Sequence, residues 1–164
     1  MNRITYRIQA LNEYNLHSPF LFSFYNEVIN SSISEKKIGV GKLKKSHKII
    51  YKVSNTFGGE CIFVSKEVVP IVEDVIRKAL NDRNEVMAKS FHRQALIVSL
   101  DEWESIKQCN PSVIFWYKPH ATRMIERDFE TFRRENGVNV VIDMYSVAIC
   151  LVDNRLKKQY FILA

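Results

Sequence analysis

Ser112-Val113-Ile114-Phe115-Trp116-Tyr117, a helix-period stretch from Thr122 to Glu135, and Val138-Asn139-Val140-Val141-Ile142-Asp143-Met144-Tyr145 decide the fold. The first and third runs are apolar on both faces, as a fully buried strand requires. Between them Ile125, Phe129 and Phe132 repeat at helical spacing, and Asn136-Gly137 ends the helix. Strand, helix, strand is the unit of a parallel sheet covered by helices. Working toward the N-terminus, the same unit recurs. Ala95 to Leu100 reads as a buried strand, and Asp101 to Gln108 as a short helix with Asp101 as its cap. Cys61 to Val64 is an earlier strand, followed by a helix from about Val69 to Leu80 with Val72, Val75, Ile76 and Leu80 on one face. Working toward the C-terminus, Val138–Tyr145, Val147–Val152 and Tyr160–Leu163 are consecutive strands, which predicts an antiparallel hairpin finishing one edge of the sheet.

Three helices are expected before the first strand. Ile4, Ile8 and Leu11 share a face in the first. Ser18-Pro19 starts the second, which runs to about Asn30 and is crowded by Phe20, Phe22, Phe24 and Val28; a hydroxyl caps and a proline suits the first helical position. Ser46 to Thr56 is the third, with Ile49, Ile50 and Val53 inward and Gly58-Gly59 as its stop. The reading is one α/β domain over 1–164, with a helical cap and basic linker over 1–57 and an α/β core over 58–164.

Composition bounds the function. The 164 residues are 46% hydrophobic and 26% charged, which supports one packed core and excludes bulk disorder. No run reaches the length that spans a bilayer, and the first residues lack a secretory signal pattern, so a cytoplasmic location with no membrane partner is expected. Cys61, Cys109 and Cys150 are isolated, which argues against disulfides and a zinc site. The net charge of +6 is concentrated. Lys36, Lys37, Lys42, Lys44, Lys45, Lys48 and Lys52 fall in one stretch without an acid, and the rest of the chain is near neutral. Such a segment is either a solvated face or a site for an anionic partner, nucleic acid included. Gly39-Val40-Gly41 follows no strand and lacks a third glycine, so it reads as a linker and not as a phosphate loop.

Several runs stand in a familiar order. They are Leu16-His17-Ser18-Pro19-Phe20, Ile38-Gly39-Val40-Gly41, Ile49-Ile50-Tyr51-Lys52-Val53, Ser112–Phe115, His120, Val140–Tyr145 and Gln159-Tyr160-Phe161-Ile162-Leu163. Together they resemble the bacterial O-methyltransferase-like group of class I S-adenosylmethionine-dependent methyltransferases. The opening motif is carried by His17, Ser18, Pro19 and Phe20. The resemblance implies a Rossmann-like sheet, mostly parallel, shortened to the equivalents of strands one, four, five, six and seven. It also implies a ligand cleft at the carboxyl ends of the strands, where Ser65, Asp101, Glu102, Tyr117, Lys118 and His120 would stand.

The chain departs from the group where the group does its chemistry. No glycine follows Cys61–Val64; the run continues Ser65-Lys66-Glu67-Val68. A glycine turn there is what lets backbone approach a nucleoside cofactor. Only Asn81 to Gln94 separates the helix from the next strand, so two strands and a ribose-binding acid are missing. Trp116-Tyr117-Lys118 replaces the group's paired acids, and these side chains would fill or repel where a cationic methyl donor sits. His120 could serve as acid, base or hydrogen-bond donor, or be a turn histidine. The expectation is a degenerate, non-catalytic binding or scaffolding module with no cofactor or metal. A homo-oligomer and a full-length methyltransferase relative are its possible partners. Two alternatives stay open: an active enzyme that binds S-adenosylmethionine and completes its site by dimerising, and a nucleic-acid-binding module using Lys36–Lys52.

Overall fold

The computed structural model describes residues 19–32, 38, 39, 43–68, 70–82 and 92–163. The first predicted helix, and the motif residues His17 and Ser18, lie outside them. Helix α1 (Pro19–Phe24) passes into a π turn over Tyr25–Ile29, closed by Asn30 N–H on the Tyr25 carbonyl. Phe24 and Val28 are buried as expected, but Phe22 is about half exposed. Residues 22 and 24 stand some 200° apart on a helix, so one face cannot bury both. Helix α2 (Lys45–Phe57) ends on Gly58 at φ +64°. Then come β1 (Glu60–Val64), α3 (Ile71–Asn81), β2 (Arg93–Ile97), α4 (Leu100–Ile106) and β3 (Val113–Tyr117). α5 (Arg123–Phe132), β4 (Val138–Asp143), β5 (Val147–Val152) and β6 (Gln159–Ile162) complete the described chain.

The six strands form one sheet in the order β1-β2-β3-β5-β4-β6. β1, β2 and β3 pair in parallel, β4 and β6 pair in parallel, and β5 is antiparallel to both of its neighbours. The predicted hairpin exists as β4–β5, but it does not finish an edge. β5 lies inside the sheet between β3 and β4, and β6 takes the edge. Burial gives the reason. Val147 to Leu151 are all buried, so the strand needs neighbours on both sides, whereas Tyr160, Phe161 and Ile162 are only half-buried.

The core is two layers divided by the sheet. One face gathers Val113, Phe115 and Tyr117 of β3 with Ile49, Ile50 and Val53 of α2 and Val72, Val75 and Ile76 of α3. The other gathers Ile114 and Trp116 with Trp103 and Ile106 of α4 and Phe129 and Phe132 of α5. Alternation along β3 sends successive side chains to opposite layers. Trp103 and Trp116 are packing residues: both meet the Phe132 ring, at centroid distances of 5.1 and 5.0 Å.

The crossovers do not share one hand. The steps β1 to β2, β2 to β3 and β3 to β4 all move the same way across the sheet. α4 and α5 lie on one face, but α3 lies on the other. Steps in one direction with helices on opposite faces have opposite hands. About 98% of parallel crossovers are right-handed, so the β1–α3–β2 unit is the exception. A right-handed route through α3 would have delivered the next strand to the far side of β1, which is the free edge of the sheet among the described residues.

Candidate functional site

In open parallel sheets ligands bind beyond the carboxyl ends of the strands. That end of this sheet is built from Ser65 after β1, the Val98–Glu102 turn after β2, Tyr117 to His120 after β3, and Asp143 at the end of β4.

Ser65 is fully buried. Its N–H donates to the Leu96 carbonyl at 2.9 Å, and its hydroxyl accepts the Glu67 N–H at 3.3 Å. β1 and β2 therefore stay zipped at their carboxyl ends. After β2 the cap is Ser99 and not Asp101: the Ser99 hydroxyl accepts the Glu102 N–H, and Glu102 Oε2 accepts the Val98 N–H at 2.7 Å. This is a variant of the reciprocal capping box. It commits Glu102 to the helix start and leaves Asp101 exposed. The strand also stops three residues earlier than the sequence reading, because Ser99 has to cap.

After β3 the aromatic pair separates. Trp116 points into the layer under α5 and leaves the strand end alone. Tyr117 points into the other layer, its hydroxyl 3.3 Å from Nε2 of His47 and the two rings 6.3 Å apart. Both residues are buried, so α2 seals this strand end with a histidine–tyrosine pair. Burial, then the charges of Lys44 and Lys118, hold His47 below the usual histidine range. Lys118 is exposed, adopts φ +50°, and sets its ammonium 5.4 Å from the Tyr117 ring centre.

His120 is not a surface turn residue. Its side chain is 1% exposed and lies between two carboxylates, with Nδ1 3.0 Å from Glu126 Oε1 and Nε2 2.8 Å from Asp143 Oδ2. Two carboxylates on two ring nitrogens call for a proton on each. Burial opposes that charge, but hydrogen bonds and charges from Asp143, then Glu126, outweigh it, and His120 titrates above the usual range. Asp143 is itself wholly buried; it also accepts the Tyr160 hydroxyl at 2.8 Å and the Tyr145 N–H at 2.9 Å. The Tyr145 ring stacks on the imidazole at 5.4 Å. One buried ion cluster thus ties the loop after β3, helix α5, the β4–β5 turn and edge strand β6 together. Sequence reading singled out His120 but not Asp143, Glu126, Tyr145, Tyr160 or His47. The available signal was an acid ending the apolar run Val140–Ile142.

The lysine segment divides. Lys36, Lys37 and Lys42 lie outside the described residues. Lys44 and Lys45 are exposed and Lys48 is half-buried. Lys52 is spent on structure: its ammonium donates to the Ile29 and Ser31 carbonyls, closing the end of the π turn. Pro19 and Phe20 open α1.

Among the described residues no group of three His, Cys, Asp or Glu side chains could hold a metal ion, and no helix is long and apolar enough to cross a membrane. A groove of about 530 Å³ runs along β1 and α3. Compared with family models, with curated proteins and with solved structures, the chain gives no match in any of the three.

Proposed function

We propose that this chain is a shortened, Rossmann-like relative of the class I methyltransferases that no longer transfers methyl groups and serves as a binding or scaffolding module. The observation that carries the reading is the closed carboxyl end of β1. A cofactor's methionine and ribose moieties need a glycine turn there, so that backbone can approach them. Here Ser65 fills the position, with its side chain buried and its amide continuing the ladder to Leu96. Tyr117 and His47 close the next position over β3. The order of β1 to β5, and the left-out strands implied by the odd crossover, are in keeping with a sheet that kept strands one, four, five, six and seven.

The test is a calorimetric titration with S-adenosylmethionine and S-adenosylhomocysteine, run at protein concentrations from low micromolar to several hundred micromolar. No binding heat at any concentration is the expected result. Micromolar affinity would overturn the proposal, and affinity found only at the highest concentrations would favour an enzyme that completes its site by dimerising.

A further inference from the structure

Among the described residues strand β1 hydrogen-bonds to β2 on one side only. Its five residues, Glu-Cys-Ile-Phe-Val, are all half-buried, whereas β3 is buried throughout. α3 overhangs this edge, and the groove beneath it is lined by the whole of β1 and by Glu73, Ile76, Arg77 and Leu80. The hand of the β1–α3–β2 crossover explains the groove. α3 lies on the face from which a right-handed connection would place a strand beyond β1. The helix therefore roofs one strand position that the described chain does not fill.

A free apolar edge invites pairing, and native edges are usually blunted against it. This one carries a bulge: Cys61 pairs with Gln94 and Phe63 with Ala95, so Ile62 is the extra residue. A regular strand laid against a bulged one loses register across the bulge. A second copy of the same strand, antiparallel about a two-fold axis at Ile62, brings the same extra residue and keeps register on both sides. The roof is self-complementary under the same axis. Glu73 and Arg77, with side chains 41% and 67% accessible, sit one turn apart on α3 and pair with each other at 2.6 Å within the helix. Two antiparallel copies of α3 bring the two Glu73–Arg77 pairs together head to tail, so that each Glu73 can share its own Arg77 with the partner's Arg77.

We infer that the β1 edge and the overhanging face of α3 form an isologous interface with a second copy of this chain, joining two six-stranded sheets into one. Isologous two-fold contacts are the commonest route to a homodimer. This inference does not depend on whether a cofactor binds.

Equilibrium sedimentation tests it, with circular dichroism to confirm that each variant folds. The wild type is expected to dimerise. Arg77→Glu and Glu73→Arg each set like charges face to face across the axis, and each should weaken association at least about tenfold. The double variant Glu73→Arg/Arg77→Glu restores opposite charges, and its affinity should return to within about threefold of wild type. Ile62→Cys, made with Cys61→Ser and Cys109→Ser, should form a disulfide-linked dimer under mild oxidation, because the axis sets the two thiols opposite one another. A wild type that stays monomeric at several hundred micromolar overturns the inference. So does a dimer indifferent to both charge reversals, or one in which Ile62→Cys never cross-links.

Discussion

His120 carries its charge inside the protein, and the sign of that arrangement fixes how stability follows pH. Its pKa is raised in the folded state by Asp143 and Glu126, against the opposing effect of burial. A group whose folded pKa exceeds its unfolded value, about 6.5 for histidine, contributes fully below that value. The contribution fades as pH rises through the folded pKa. The urea midpoint of the wild type should therefore fall as pH is raised above about 6.5, with the slope steepest near the folded pKa. His120→Gln removes the proton-binding group and takes the imidazolium away from buried Asp143. Breaking one side of a buried pair costs about 3–5 kcal/mol. The variant should lose roughly that much near pH 6, and this limb of its pH profile should become flat. A variant as pH-dependent as wild type would show that another group carries the effect. Tyr160 does not compete in this window: burial and then Asp143 push its hydroxyl far above the usual tyrosine range, so it stays a donor.

At the scale of elements, the start of α4 separates pattern from contact. Ser99 and Asp101 are both residue types that cap helices, and the sequence alone favoured Asp101. The backbone decides otherwise: Ser99 is extended at φ −142° and ψ 162°, and its hydroxyl accepts the Glu102 N–H. Ser99→Ala should cost about 1 kcal/mol in a urea melt, while Asp101→Ala should change stability by less than about 0.5 kcal/mol. The reverse order would return the cap to Asp101. What was legible in the sequence was whatever depends on local period. The long apolar runs gave β3, β4 and β5, and helical spacing gave α2, α3 and α5, each within a few residues. What was not legible depends on position across the sheet. β5 entered the sheet between β3 and β4 because strand order is set by which edges are left to cover, and one run of apolar residues does not encode that. The candidate site fared likewise. His120 stood out as a histidine after a strand, yet its partners Glu126 and Asp143 lie 6 and 23 residues away, and Tyr160, which donates to Asp143, lies 40 away; they meet only through the fold. Lys52 read as part of a basic face; only the π turn over Tyr25–Ile29 shows which carbonyls it serves.

For the molecule as a whole the question is whether two layers behave as one. The layer formed by α1, α2 and α3 is stitched internally: Tyr51 donates to Asp82 at 2.7 Å, Asn55 to the Ala79 carbonyl at 3.0 Å, and Lys52 to the end of the π turn. It could in principle open as a unit and leave the sheet with α4 and α5. Against this stands the shared sheet. Phe115 and Trp116 are adjacent in β3, both wholly buried, and face opposite layers. A strand cannot keep one side packed while the other is wetted, because Leu96, Phe115 and Ile149 would then expose a continuous apolar surface to water. Phe115→Ala and Trp116→Ala should therefore each lower stability by about 3–5 kcal/mol, as large-to-small changes in a packed core do. Both should shift one common transition, seen identically by far-ultraviolet dichroism and by tryptophan fluorescence. If the helical layer came away first, Phe115→Ala would split the transition in two, with fluorescence from Trp103 and Trp116 lagging the loss of helix. Trp116→Ala would not split it, since its neighbours Phe129 and Phe132 belong to the other layer. The pair of variants thus reads the coupling of the layers through two consecutive residues of one strand.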